Sequence, residues 1–121
     1  FLPWNRGADP NFWSFVDDTP KGVTIHQIDS GLDTGNILCQ KELQLSDKNT
    51  FAQTYQNLTK EMNTLFFDNW QKIRTGDITS KKQPNGGSYH RSVDKNIFLG
   101  SLYNGWETQI CTFTKLIAEK N

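Results

Sequence analysis

Hydrophobic and polar positions follow different rhythms in different parts of the chain, and each rhythm predicts a different element. The clearest is a three- and four-residue spacing through Phe51, Tyr55, Leu58, Met62, Leu65, Phe66, Trp70 and Ile73. It gathers these side chains on one face of an α-helix over about 50–74. Thr50 with Gln53 three residues later fits a capping box, and Gly76 beyond the last turn fits a stop. A helix of that length is expected to lay its apolar face on a sheet. The β-branched run Gly22-Val23-Thr24-Ile25-His26-Gln27-Ile28 predicts a strand over 22–28. A second strand is predicted over 37–43, apolar at Ile37 and polar by Lys41 and Glu42, as for a strand running out to an edge. Pro10 followed by Phe12, Trp13 and Val16 predicts a short amphipathic helix over about 10–18.

Beyond Ser80 the rhythm stops. The stretch Lys81-Lys82-Gln83-Pro84-Asn85-Gly86-Gly87 carries a proline and paired glycines, and no regular element is predicted from 80 to 96. A short apolar cluster (Phe98, Leu99, Leu102, Tyr103) and a turn at Asn104-Gly105 precede a final segment, 110–118, in which neither period dominates. Residues 80–121 are therefore expected to be a loop and an irregular C-terminal tail. The chain as a whole is expected to be α/β, with a short mixed sheet packed against one long helix.

Composition narrows the function classes. At 121 residues the chain fits one domain. Thirteen basic against thirteen acidic residues and a pI near 6.9 give no global attraction to nucleic acid or an anionic membrane. Apolar runs of only a few residues exclude a membrane-spanning helix in this sequence. Two cysteines, Cys39 and Cys111, are too few for a disulfide framework, so a reduced, cytoplasmic location is expected. Asn57-Leu58-Thr59 matches a glycosylation acceptor but lies inside the long helical pattern. Cys39, Cys111, His26 and His90 do not make a metal-ligand spacing, and no GxGxxG phosphate loop occurs.

The candidate chemistry sits between the two strands, in Asp29-Ser30-Gly31-Leu32-Asp33-Thr34-Gly35. A strand that delivers His26, followed by a carboxylate at Asp33 between two glycines, is a plausible acid–base site. The plainer alternatives are a turn-capping aspartate and a satisfied strand histidine. Upstream, Leu2-Pro3-Trp4-Asn5-Arg6-Gly7-Ala8-Asp9-Pro10-Asn11 groups an aromatic, an amide and a cation, suited to an anionic ligand. Equally, Arg6 could pair with Asp9 and Trp4 could cover core. Lys81, Lys82, Arg91 and Lys95 surround Tyr89 and His90 in a stretch that reads by default as a solvated basic loop.

Taken together, LPWNRGADPN and GVTIHQIDSGLDTG resemble the folate-dependent formyltransferase family, a likeness that runs over roughly residues 2–106. It implies the second half of a Rossmann-like formyltransferase domain, with N10-formyltetrahydrofolate as co-substrate. In such a domain Asp33 and His26 would be catalytic: the loop carboxylate assists proton removal from the attacking amine, commonly through water, and the histidine orders it. Ile28, Asp29, Ser30, Gly31 and Leu32 would face folate, largely through backbone groups. Trp4, Asn5 and Arg6, with Lys81, Tyr89 and Arg91 around the GSYHR string, would face the substrate. The WNRGADPN and GSYHR variants look more like nucleotide-sugar N-formyltransferases than the methionyl-tRNA enzyme, so the expected partner is a nucleotide-linked amino sugar.

One departure shapes the expectation. The family's catalytic asparagine and histidine precede the LP motif, whereas this sequence begins at Phe1 within it. The chain is therefore expected to be a fragment, inactive alone, whose open sheet edge favours a homodimer or pairing with the missing half. A non-catalytic ligand-binding or assembly module and a methionyl-tRNA formyltransferase fragment are the competing readings.

Overall fold

A computed structural model describes residues 1–119. Its centre is an antiparallel pair, β2 (Lys21–His26) and β3 (Ile37–Leu43), following the two-residue strand β1 (Arg6–Gly7) and helix α1 (Pro10–Val16). The β2–β3 register runs from Lys21 opposite Leu43 to Ile25 opposite Cys39, then slips so that His26 faces Ile37. A bulge of this kind re-aims the side chain at its end, here the histidine. β2 starts one residue before the predicted 22–28 span and ends two residues short of it. Gln27 makes one more backbone bond, to the Asn36 carbonyl, and Ile28 then turns out to solvent at 94% exposure.

Helix α2 spans Phe51–Thr75 and begins and ends where its capping residues direct. Thr50 Oγ1 accepts from the Gln53 amide at 3.1 Å while the Gln53 side chain accepts from the Thr50 amide at 2.9 Å. Gly76 closes the helix at φ 76°, a left-handed value that favours glycine. The helix lies against β2 and β3, with Leu58, Met62 and Leu65 half-buried. Its far half is less covered: Phe66, Phe67 and Trp70 are exposed.

The densest packing is aromatic and lies beside the sheet. Phe12 and Trp13 of α1 meet Phe51 at the head of α2 and Leu102, Ile110 and Phe113 from the tail. Ring centroids of Phe12, Phe51 and Phe113 are 5.3–5.7 Å apart in tilted or edge-on geometry. The tail is thus more regular than its sequence pattern indicates. Residues Ser92–Ser101 and Gly105–Glu107 are 3₁₀ segments, and α3 covers Ile110–Glu119. Ile110, Phe113 and Ile117 face the core at helical spacing, while Thr112, Thr114 and Thr108 blur the pattern that would announce it. Backbone bonds from Ile110 to Asn49 and from Cys111 to Asp47 tie the tail to the approach to α2.

The stretch expected to lack regular structure contains one short strand. β4 (Tyr89–His90) pairs in parallel with β1, Arg6 opposite Tyr89 and Gly7 opposite His90. Partners 83 residues apart leave no local periodicity to read. Gly7 sits at φ 93°, and an added Cβ would strike the His90 carbonyl oxygen, so only glycine fits this crossing. An isolated antiparallel bridge between Ile37 and Lys81 brings the 80s beside the loop after β2.

Candidate functional site

Three chain segments converge on Asp33: the loop that carries it, the Asn5–Gly7 turn, and the Gln83 segment. Asp33 holds a left-handed backbone, φ 59°, which aspartate tolerates better than most residues. Its Oδ2 accepts from the Gly7 amide at 2.8 Å. Its Oδ1 lies 3.5 Å from His26 Nε2. His26 Nδ1 stands 2.8 Å from the Gln27 carbonyl, so Nδ1 carries the hydrogen. That leaves Nε2 as the ring's second proton position, directed at the carboxylate. Two thirds of the Asp33 side chain is covered, and the rest opens into a cavity of about 600 Å³.

The cavity wall is mainly apolar. Trp4, Phe1 and Phe12 contribute from the N-terminal loop and α1, and Tyr55, Leu58 and Met62 from α2, with His26 and Asp33 as polar groups. A concave apolar pocket of several hundred Å³ with a few converging polar groups is the usual form of a small-molecule site. Among the described residues no His, Cys, Asp or Glu cluster could hold a metal ion.

The loop before Asp33 is built from its own side chains. Asp29 Oδ1 accepts from the Thr34 hydroxyl at 2.5 Å and from the Gly31 amide at 2.9 Å. The Thr34 hydroxyl first, then the Gly31 amide, hold the Asp29 carboxyl below the usual carboxylate range. Ile28, Asp29, Ser30, Gly31 and Leu32 are all exposed and stand outside the cavity wall, with Leu32 at 57%. Gly35 ends the loop where an added Cβ would strike the Gln27 carbonyl oxygen.

The substrate-side candidates divide. Trp4 and Asn5 line the cavity. Asn5 is also buried and engaged, donating to Thr19 Oγ1 at 2.7 Å and accepting from Ser88 Oγ at 3.2 Å. Arg6 does not pair with Asp9. Its Nε and Nη2 donate to Gln83 Oε1 at 3.1 and 2.7 Å, and Asp9 pairs with Lys95 at 2.7 Å. Arg6, Lys81, Tyr89 and Arg91 are absent from the cavity wall. Lys81 is held by its backbone to Ile37, Tyr89 lies beside Gly7, and Arg91 pairs with Asp94. His90 stacks on Trp13 with centroids 3.8 Å apart and binds Asp17 at 2.7 Å.

Two contributors escape sequence reasoning. The Gly7 amide is a backbone group, and no residue pattern reports its aim. Gln83, only 8% exposed, sits in a Lys-Lys-Gln-Pro string that reads as solvated loop. Only the Ile37–Lys81 register, which sets Gln83 across from Gly35, gives it away.

A strand–loop unit that presents a histidine-backed carboxylate to an apolar pocket, cross-tied to a preceding Leu-Pro-Trp-Asn-Arg-Gly turn, defines the class. The model of the formyl transferase family matches residues 1–69, and the chain belongs to that family. Among solved structures it is similar to the formyltransferase PseJ of Anoxybacillus kamchatkensis, at 50% identity and TM-score 0.91 over 93% of this chain and 60% of that one. That structure is a complex with UDP-4,6-dideoxy-4-formamido-L-AltNAc and tetrahydrofolate. The dTDP-4-amino-4,6-dideoxyglucose formyltransferase of Mycobacterium bovis is 33% identical over 94 residues, 78% of this chain and 40% of its own length. A methionyl-tRNA formyltransferase of Clostridium beijerinckii is 32% identical over 97 residues, 79% of this chain and 32% of its own length. The chain thus spans about two fifths or less of the curated relatives named here.

Proposed function

We propose that this protein transfers a formyl group from N10-formyltetrahydrofolate to the amine of a nucleotide-linked amino sugar, with Asp33 receiving the amine proton. The observation that carries the reading is the fixed Asp33 carboxylate. One oxygen is anchored by the Gly7 amide and the other faces His26 at the edge of an apolar cavity. The amine nitrogen bonds to the formyl carbon, its proton passes to Asp33 directly or through a water, and the bond from that carbon to N10 breaks. N10 takes up a proton, leaving a formamide and tetrahydrofolate. The Gly7 amide positions the carboxylate, and His26, its Nδ1–H held by the Gln27 carbonyl, offers Nε2 to the proton as it arrives.

The 600 Å³ volume and its apolar and aromatic wall suit a folate and part of a sugar. The exposed 28–32 loop stands outside this cavity wall, its Gly31 amide taken by Asp29, and is proposed to flank the pterin from the solvent side. Trp4 is the proposed substrate-side aromatic, since among the substrate-side candidates only Trp4 and Asn5 line the cavity and the Asn5 amide is already engaged by Thr19 and Ser88. A nucleotide sugar is favoured as acceptor because the 50%-identical PseJ structure holds a formamido-sugar nucleotide together with tetrahydrofolate, the pair of products this reaction would leave. The balanced charge of the chain gives no net attraction for a tRNA.

Asp33→Asn keeps size and hydrogen bonding but removes the base. In the protein at its native length it is expected to lower kcat by about a hundredfold or more while changing the KM for either substrate by less than about threefold. A near-normal kcat would remove Asp33 from the chemistry.

A further inference from the structure

The amide of Gln83 lies across from Gly35 and uses every bond it can make. Nε2 donates to the Asp33 carbonyl at 2.8 Å and to the Gly35 carbonyl at 2.7 Å. Oε1 accepts from Arg6 Nε at 3.1 Å and Nη2 at 2.7 Å. A neutral amide has two donor hydrogens and two acceptor sites, so the group is saturated. The partners also fix which way it points. Reversed, the amide would aim its hydrogens at a guanidinium and its oxygen at two carbonyls. At 8% exposure any such mismatch is expensive, because solvent does not fill the gap.

We propose that Gln83 is a positioning residue for the Asp33 carboxylate, an amide staple that holds both sides of the Thr34 peptide and couples them to Arg6. The role rests on the formyl-transfer reading of Asp33 given above. Its logic is local. Asp33 has a left-handed backbone, which aspartate reaches at modest cost and which partners on its carbonyl keep in one place. Gly35 is pressed against the Gln27 carbonyl. Between these two constrained residues the loop has carbonyls that strand pairing leaves over, and Gln83 takes both. Arg6, one residue before the Gly7 amide that anchors Asp33 Oδ2, grips the other end of the same amide. The carboxylate and its anchor are therefore held in mutual register by one side chain from a third segment.

A glutamate at this position separates the two halves of the staple. Gln83→Glu keeps shape and strengthens the bond to Arg6, but sets a charged oxygen against the Asp33 and Gly35 carbonyls. Gln83→Met keeps length and removes both halves. In the protein at native length both variants are expected to lower kcat at least about tenfold, with the KM for the sugar nucleotide within about threefold of wild type. In both, hydrogen exchange at the Gly7 amide should accelerate at least about tenfold, while exchange at Met62 in the long helix stays as in wild type. In the unmodified protein the Gln83 side-chain amide protons should exchange at least about tenfold more slowly than those of exposed Gln71, a measurement independent of any variant's folding.

Wild-type kcat in Gln83→Glu, kcat loss with Gly7 protection intact, or fast exchange of the Gln83 amide would each overturn the proposal. Failure of the formyl-transfer reading looks different. Asp33→Asn would then retain its rate while the Gly7 and Gln83 exchange patterns stayed as described.

Discussion

At the scale of single residues, the site depends on positions where one side chain or its absence is dictated by a neighbour. Gly35 is the sharpest case, since a Cβ there meets the Gln27 backbone carbonyl, which cannot rotate away as a side chain could. Gly35→Ala is expected to cost about 2 kcal/mol or more of stability, by forcing the loop off the strand end. Urea unfolding checks this, and a loss under about 0.5 kcal/mol would show that the loop gives way freely. Asp33 and His26 were legible in the sequence as a candidate pair, and their side chains do face each other. What was not legible is the geometry that makes them a site. Their contact depends on the bulge at the end of β2 and on the Gly7 amide, neither of which has a residue signature. Arg6 shows the reverse. Its charge drew attention, yet its guanidinium is bound to Gln83 within the chain.

Secondary structure was readable wherever one period ran unopposed. The long helix begins at its capping box and ends at its glycine because eight apolar positions and two caps agree on it. Thr50→Ala removes the hydroxyl that accepts from the Gln53 amide and is expected to lower stability by about 1 kcal/mol. Thermal unfolding reads this as a drop of several degrees for a domain of this size. An unchanged Tm would mean the cap contributes nothing here. The β2 and β3 strands were equally plain, since β-branched runs between turn residues have few other solutions. The β1–β4 pair and α3 were not. Two-residue strands carry too little pattern, and α3 interleaves threonines with its core-facing Ile110, Phe113 and Ile117. Tertiary contacts with Phe12 and Phe51 settle that segment as a helix where local preference was divided.

For the molecule as a whole, fold and site meet at a seam. The aromatic cluster beside the sheet fixes α1, the head of α2 and the tail as one block. The β2–β3 pair leans on the flank of α2, and the Asp33 loop emerges where strands, N-terminal turn and Gln83 segment come together. The cavity opens along that seam between the block and the sheet, so the pocket is bounded by rigid elements while the carboxylate comes from a pinned loop. This division explains why the family could be recognised from two short motifs. One motif is the turn that supplies the anchor, the other the strand and loop that supply the carboxylate, and the remaining sequence mainly holds them together.

As proposed above, this arrangement serves formyl transfer to an amino-sugar nucleotide. Its most direct test is to incubate the protein at its native length with N10-formyltetrahydrofolate and a panel of UDP- and dTDP-linked amino sugars beside methionyl-tRNA, and to identify products by mass spectrometry. Multiple turnovers on at least one sugar nucleotide are expected, with tetrahydrofolate released in equal amount and no formylated tRNA. Formylation of methionyl-tRNA with none of the sugar nucleotides modified would contradict it.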